Sequence, residues 1–224
     1  MQIRTATQLS KFPGAAFGPA TNPAGSLPGG MPLALRKDER LFDEGDEAEY
    51  FYKVVSGAIR SYKLMSDGRR QIDAFHLRGD IFGLEAGSEH RFSAEAVGDV
   101  SVIAYRRNRL ATLMRDDAAF RDKIMGATLR SLERAQDHML LLGRKTAEEK
   151  IATFLLDMAE RISDDDEHFE LPMQRSDIAD HLGLTIETVS RTLTQFARSG
   201  LIRLLPAGRS IALSNRMALK NLDT

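Results

Sequence analysis

The hydrophobic period of this chain changes from strand-like to helical near Arg106, and that change limits the fold more than any other feature. From Leu33 to Arg106 short apolar runs alternate with turn signals at Asp43–Asp46, Ser56-Gly57, Ser66–Gly68, Arg78–Asp80 and Gly98-Asp99. The runs Tyr50–Val55, Ala58–Leu64, Gln71–Leu77 and Val100–Tyr105 are strand-length and rich in aromatic and β-branched residues. Such spacing predicts an antiparallel sandwich or barrel made of hairpins, with Asp67-Gly68 as its clearest turn. From about Asn108 the pattern becomes helical. The fold class expected is α+β.

Asp117–Leu142 contains no proline and one glycine, and reads as one long helix ended by Gly143. Met125, Leu132 and Met139 recur every seven residues, with Thr128, Ala135 and Leu142 three after each. This two-position seam predicts a helix pairing with a second copy of itself, so that a homodimer is expected. Lys150–Ile162 reads as a second amphipathic helix, and Asp164–Asp166 as part of a solvated linker without metal-liganding spacing.

Leu171–Leu205 carries the functional signal. Arg175–Leu182 predicts a short helix with Ile178, Ala179 and Leu182 inward, and Gly183 stands at the turn. Thr185 is a good N-cap for a second helix over Ile186–Ser199, whose inner face is Val189, Leu193 and Phe196. Helix, glycine-centred turn and helix is the helix-turn-helix spacing. Leu201–Leu205, a basic tip at Pro206–Arg209 and Ser210–Leu213 predict a two-stranded wing. The outer face of the second helix bears Ile186, Glu187, Ser190, Arg191 and Thr194. In a DNA major groove an arginine can pair with guanine, a glutamate can accept from cytosine, and a serine or apolar group can meet thymine. Glu187 and Arg191, four apart, are also expected to hold each other in place.

Charge and composition narrow the partners. The 224 residues carry a net charge of −1, so a polyanion surface has to be local. Residues 171–224 hold 7 basic and 4 acidic side chains, +3, which leaves −4 on the rest. Zero cysteines exclude disulfides, thiolate-bound iron–sulfur clusters, cysteine zinc fingers and thiol redox switches. The five histidines show no metal-ligand spacing. No catalytic triad and no phosphate-cradling glycine loop joins a strand to a helix, so no enzyme activity is expected. No apolar run approaches membrane-spanning length, and the polar first ten residues resemble no signal peptide, so a cytoplasmic protein is expected. Residues 11–32, with 5 of the 7 prolines, read as a flexible tail.

On several stretches the chain resembles the CRP/FNR superfamily of transcription regulators, and within it the FixK-like branch. They are Phe42–Asp46, Val55–Gly57, Phe75–Gly83, Gln136–Leu142, Lys145–Ile151 and Ser176–Arg191, of which Glu187–Arg191 is the most specific. The resemblance implies a tail at 1–32, a cyclic-nucleotide-binding-like β-roll at 33–108, a dimerisation helix region at 109–143 and a winged helix-turn-helix at 144–224. It implies a dimer that binds double-stranded DNA at a palindrome and contacts RNA polymerase, and Ser190 implies the half-site in TTGAT-N4-ATCAA. Glu187, Ser190 and Arg191 would read bases. Arg175, Ser176, Thr185, Thr188 and Arg209 would meet phosphates, which position without specifying. Asp80, Ile81, Phe82, Gly83, Leu84 and Glu85 would form a loop touching polymerase.

The departures from the family are informative. The iron–sulfur branch needs four cysteines, and this chain has none. The cyclic-AMP pocket needs a Gly-Glu-Leu run and adjacent Arg-Ser. Here Gly83-Leu84-Glu85 displaces the acid and Phe92 separates Arg91 from Ser93. A regulator active with no cofactor is therefore expected, the alternative being a sensor gated by a cyclic nucleotide or haem in the β-roll.

Overall fold

The structure is a computed structural model and describes residues 30–162, 168–205 and 210–222. Eight strands form the N-terminal half: β1 (Met31–Leu35), β2 (Arg40–Phe42), β3 (Tyr50–Ser56), β4 (Ile59–Leu64), β5 (Arg70–His76), β6 (Ile81–Phe82), β7 (Ser93–Ala96) and β8 (Val100–Arg106). They make two antiparallel four-stranded sheets, ordered β1-β8-β3-β6 and β2-β7-β4-β5. The expected strand runs all appear, and the first strand begins at Met31, two residues before the expected boundary. Leu33, Leu35, Tyr52, Val54, Ile59, Val100 and Val102 share one buried core. Alternation fits here because each strand presents every second side chain to that core. At Gly57 (φ 78°) a Cβ would sit 2.5 Å from the Asp99 carbonyl oxygen, so the β3–β4 turn has no room for a side chain.

A short helix α1 (Leu110–Asp116) leads into the long helix α2 (Ala118–Arg144). The Asp117 carboxylate caps α2 by accepting from the Phe120 amide at 2.9 Å. Gly143 does not end it. The helix runs one residue further, because a single helical glycine costs only about 1 kcal/mol, and stops where Lys145 turns extended. α3 (Ala147–Ile162) starts three residues earlier than its apolar pattern suggests. A capping box sets that start: the Thr146 amide donates to Glu149 Oε2 at 2.6 Å, and the Glu149 amide to Thr146 Oγ1 at 3.4 Å.

The C-terminal part adds β9 (His168–Glu170), α4 (Arg175–Leu182), α5 (Ile186–Arg198), β10 (Ile202–Leu204), β11 (Ser210–Leu213) and α6 (Arg216–Leu222). The wing strands β10 and β11 pair as expected, and β9 joins as a third strand, pairing Phe169 with Ile211. Neither β9 nor α6 is visible in the sequence pattern, since three and seven residues are too short for periodicity. The two halves share one buried core. Ala58, Tyr62, Ile72, Phe75, Leu77 and Val97 of the roll pack with Ile151, Leu155, Met158, Ile178, Leu182, Leu193 and Phe196.

Candidate nucleic-acid interface

α5 is a strongly two-faced helix. Val189, Thr192, Leu193 and Phe196 are buried at three- and four-residue spacing, while Ile186, Glu187, Arg191, Thr194 and Gln195 are exposed. Thr185 caps it, Oγ1 accepting from the Thr188 amide at 3.1 Å. α4 ends at Gly183 (φ 62°), a left-handed cap that most side chains resist, and the Leu184 amide returns to the Ala179 carbonyl at 3.0 Å. The helix-turn-helix is thus closed by local chemistry that the sequence displays.

Glu187, Ser190 and Arg191 lie along the outer side of α5. Among the described residues no ion pair joins Glu187 to Arg191, contrary to the expectation that they brace each other. Both extend into solvent, where such a pair contributes little. Ser190 is half-buried and held differently: Arg175 Nη1 donates to its Oγ at 3.2 Å, and Thr194 Oγ1 donates to its carbonyl at 2.8 Å. Arg175, expected at a phosphate, therefore orients the serine from the neighbouring helix. Ser176 and Thr188 are half-buried beside it and Thr185 is exposed. Arg209 and the rest of the 206–209 wing tip lie outside the described residues, as do Asp164–Asp166 and residues 1–29 of the expected tail.

α2 shows two opposite faces. Phe120, Ile124, Ala127 and Leu141 are buried. Met125, Leu129, Leu132, Met139 and Leu140 are all about half exposed or more, Met139 reaching 67%. Thr128 and Ala135 are exposed between them. Leu142 differs from the other five expected seam residues: it is half-buried against the C-terminal core, 3.5 Å from where a Gly183 Cβ would stand. The helix has by then turned toward α4, because 3.6 residues per turn drifts off a seven-residue repeat. Leu129 and Leu140 were not read from the seam. Leu129 lies four after Met125 and three before Leu132, a spacing that marks the same stripe.

The 80–85 stretch is not an open loop. Ile81 and Phe82 form β6, paired to β3, and Phe82 is buried with its ring stacked on His76 at 4.4 Å and on Tyr52 at 5.4 Å. The Asp80 carboxylate faces inward and accepts from Arg161 Nη2 and the Leu77 amide, each at 2.9 Å. Gly83 packs on Tyr52, and Leu84 on the base of α1 and α2. Glu85 Oε1 lies 3.6 Å from His90 Nδ1. The stretch expected as a loop at 80–85 thus contains the two-residue edge strand β6, too short to be read from its pattern.

The groups that would hold a cyclic nucleotide are engaged with the protein itself: Glu85 Oε1 accepts from the Arg91 backbone amide at 3.4 Å. Ser93 Oγ already accepts from the Glu44 amide at 3.0 Å, and Arg91 lies over Phe92, 6.0 Å from its ring centre. Phe42, Tyr52, Phe82 and His90 rings fill the space between the sheets, with Phe42 and His90 stacked at 3.6 Å. These residues do not fit a cyclic phosphate and ribose.

Residues 32–117 match the cyclic nucleotide-binding domain family, and residues 149–222 the Crp-like helix-turn-helix domain family. The chain is 45% identical over 199 residues to the nitrogen fixation regulation protein FixK of Azorhizobium caulinodans, covering 87% of this chain and 80% of that one. It belongs to the CRP/FNR family. Within that family it is FixK-like. It is 50% identical to the solved structure of FixK2 from Bradyrhizobium japonicum, with a TM-score of 0.82 over 87% of this chain and 98% of the other. The fumarate and nitrate reduction regulatory protein of Escherichia coli is more distant, at 36% identity over 84% of this chain and 76% of that protein. These relatives are transcription regulators and not enzymes, so this CRP/FNR member is a helix-turn-helix DNA-binding regulator. Among the described residues no helix is long and apolar enough to cross a membrane.

Proposed function

We propose that this FixK-like regulator binds TTGAT-N4-ATCAA as a homodimer, without a bound cofactor, and activates transcription in the cytoplasm by touching RNA polymerase. One observation carries the reading: a capped, two-faced helix in a winged helix-turn-helix presents Glu187 and Arg191 outward beside an oriented Ser190. Arg191 and Glu187 read the G·C pair and its neighbour, and Ser190 a thymine. The exposed apolar stripe of α2 supports dimerisation, because a row of large apolar side chains in water is stabilised by a matching row. Two-fold symmetry then places the two α5 helices roughly 34–36 Å apart, one turn of DNA. The roll packed with aromatic rings supports cofactor independence. Genome-wide footprinting in the native host tests the reading. Bound sites are expected to share the TTGAT palindrome, and sites with no such motif would overturn it.

A further inference from the structure

The hairpin of β4 and β5 reaches across the molecule to α4. Arg60 Nη1 lies 3.1 Å and Arg70 Nη2 2.6 Å from the same oxygen, Asp177 Oδ1. Arg70 Nε donates to Asp180 Oδ2 at 2.8 Å. Gln71 Nε2 donates to the His181 carbonyl, and His181 Nδ1 to the Ile72 carbonyl, both at 3.1 Å. Three consecutive β5 residues thus grip three positions on one side of α4. Glu95 backs the arginines, pairing with Arg60 and accepting from Arg70 Nη1 at 3.4 Å, and Asp38 takes Arg60 Nη2 at 2.7 Å. The Arg60 and Asp177 side chains keep only 7% and 4% of their surface. Charges so deprived of water persist only if fully paired.

Asp177 does two things at once. Its Oδ2 accepts from the Gln174 amide at 3.2 Å and caps α4, while its Oδ1 takes both arginines. Two residues before it, Arg175 holds the Ser190 hydroxyl. The contacts from the roll therefore end on the first turn of α4, the same turn from which Arg175 reaches Ser190.

We propose that Arg60 and Arg70 are positioning residues: a clamp built into the β4–β5 hairpin that fixes the reading head through Asp177 and Asp180. The clamp sets the orientation of α5 by the chain's own charges. It rests on the assignment of α5 to DNA, and it supplies the rigidity that a bound effector would otherwise have to provide.

Arg70→Met and Asp180→Asn test it at the more solvent-accessible end of the network, where the fold tolerates change. Two readouts are taken on the full-length protein. One is affinity for the TTGAT palindrome duplex. The other, without DNA, is the distance distribution between spin labels at Asp99→Cys and Ser199→Cys, which the absence of native cysteine makes clean. Arg70→Met is expected to weaken binding at least tenfold and broaden the distribution. Arg70→Lys, which keeps the charge but loses the fork, should recover part of both. Adding Asp180→Asn to Arg70→Met should cost less than the sum of the two single losses. An unchanged distribution with unchanged affinity in both single variants overturns the clamp. If the wild type itself does not bind the duplex, the DNA assignment fails, and the distance distribution alone then decides the clamp.

Discussion

Arg191 and Glu187 leave α5 with no ion pair or hydrogen-bond partner among the described residues, so on the proposed reading their contribution to binding comes from the DNA edge. Truncating either to alanine is expected to weaken operator binding by about 1–3 kcal/mol, roughly five- to 150-fold, with thermal stability unchanged. Gel-shift titration beside a melting curve checks this. Ser190→Gly removes the group that Arg175 holds and, with it, the proposed thymine contact. It should lower discrimination at that base pair more than total affinity, read from a panel of single-base operator variants. The place of these residues on the outer side of α5 was legible in the sequence because helical spacing, a threonine cap and a glycine turn are all local. The Arg175–Ser190 bond was not, since periodicity places side chains on faces but does not tell which residue of the neighbouring helix a hydroxyl meets. The missing Glu187–Arg191 pair has the same origin: spacing allows an ion pair, and solvent decides against it.

At the scale of elements, α2 carries the dimer proposal. Its buried stripe of Phe120, Ile124 and Leu141 is spoken for, leaving Met125, Leu129, Leu132 and Met139 for a partner. Leu132→Glu puts a charge in the middle of that stripe. Sedimentation velocity should show a shift from dimer to monomer, with a dimer constant weakened by roughly a hundredfold or more, in line with the 2–5 kcal/mol of a buried leucine. A Leu132→Glu protein that stays dimeric would place the interface elsewhere. The start of α3 is a smaller test. Thr146→Ala breaks its capping box and should cost about 1 kcal/mol in denaturant unfolding. The exposed stripe follows the heptad spacing from Met125 to Met139 and leaves it at Leu142, where the helix drifts toward α4. The edge strand β6 was mistaken for a loop because two residues give no period to read.

Across the whole molecule, the halves are joined by a shared core and by a histidine cluster in a cavity of about 200 Å³ between β5, α2, α3 and α4. Nothing in the sequence announced this junction, since its partners lie about a hundred residues apart. Burial pushes His76 down to about 4 and His181 to about 3. His138, stacked on His181 at 4.1 Å, is lowered by the same cause. Asp80 opposes the shift at His76, while Arg161 and Arg134 reinforce it. The docked state thus needs these rings neutral. Stability is whole above the ordinary histidine value of about 6.5 and falls as acid protonates the undocked rings, by up to roughly 1.4 kcal/mol per pH unit for each. Denaturant unfolding at pH 7.5 and 5.5 should show this loss, and His181→Phe should reduce it. The reading as a whole rests on DNA recognition without a ligand. The direct measurement is a titration of the purified protein, with nothing added, into duplexes carrying TTGAT-N4-ATCAA or a scrambled half-site. The account predicts tight binding to the palindrome alone, falling steeply with added salt as phosphate contacts are screened. Equal binding to both duplexes, or binding to the palindrome only once a cyclic nucleotide is supplied, would contradict it.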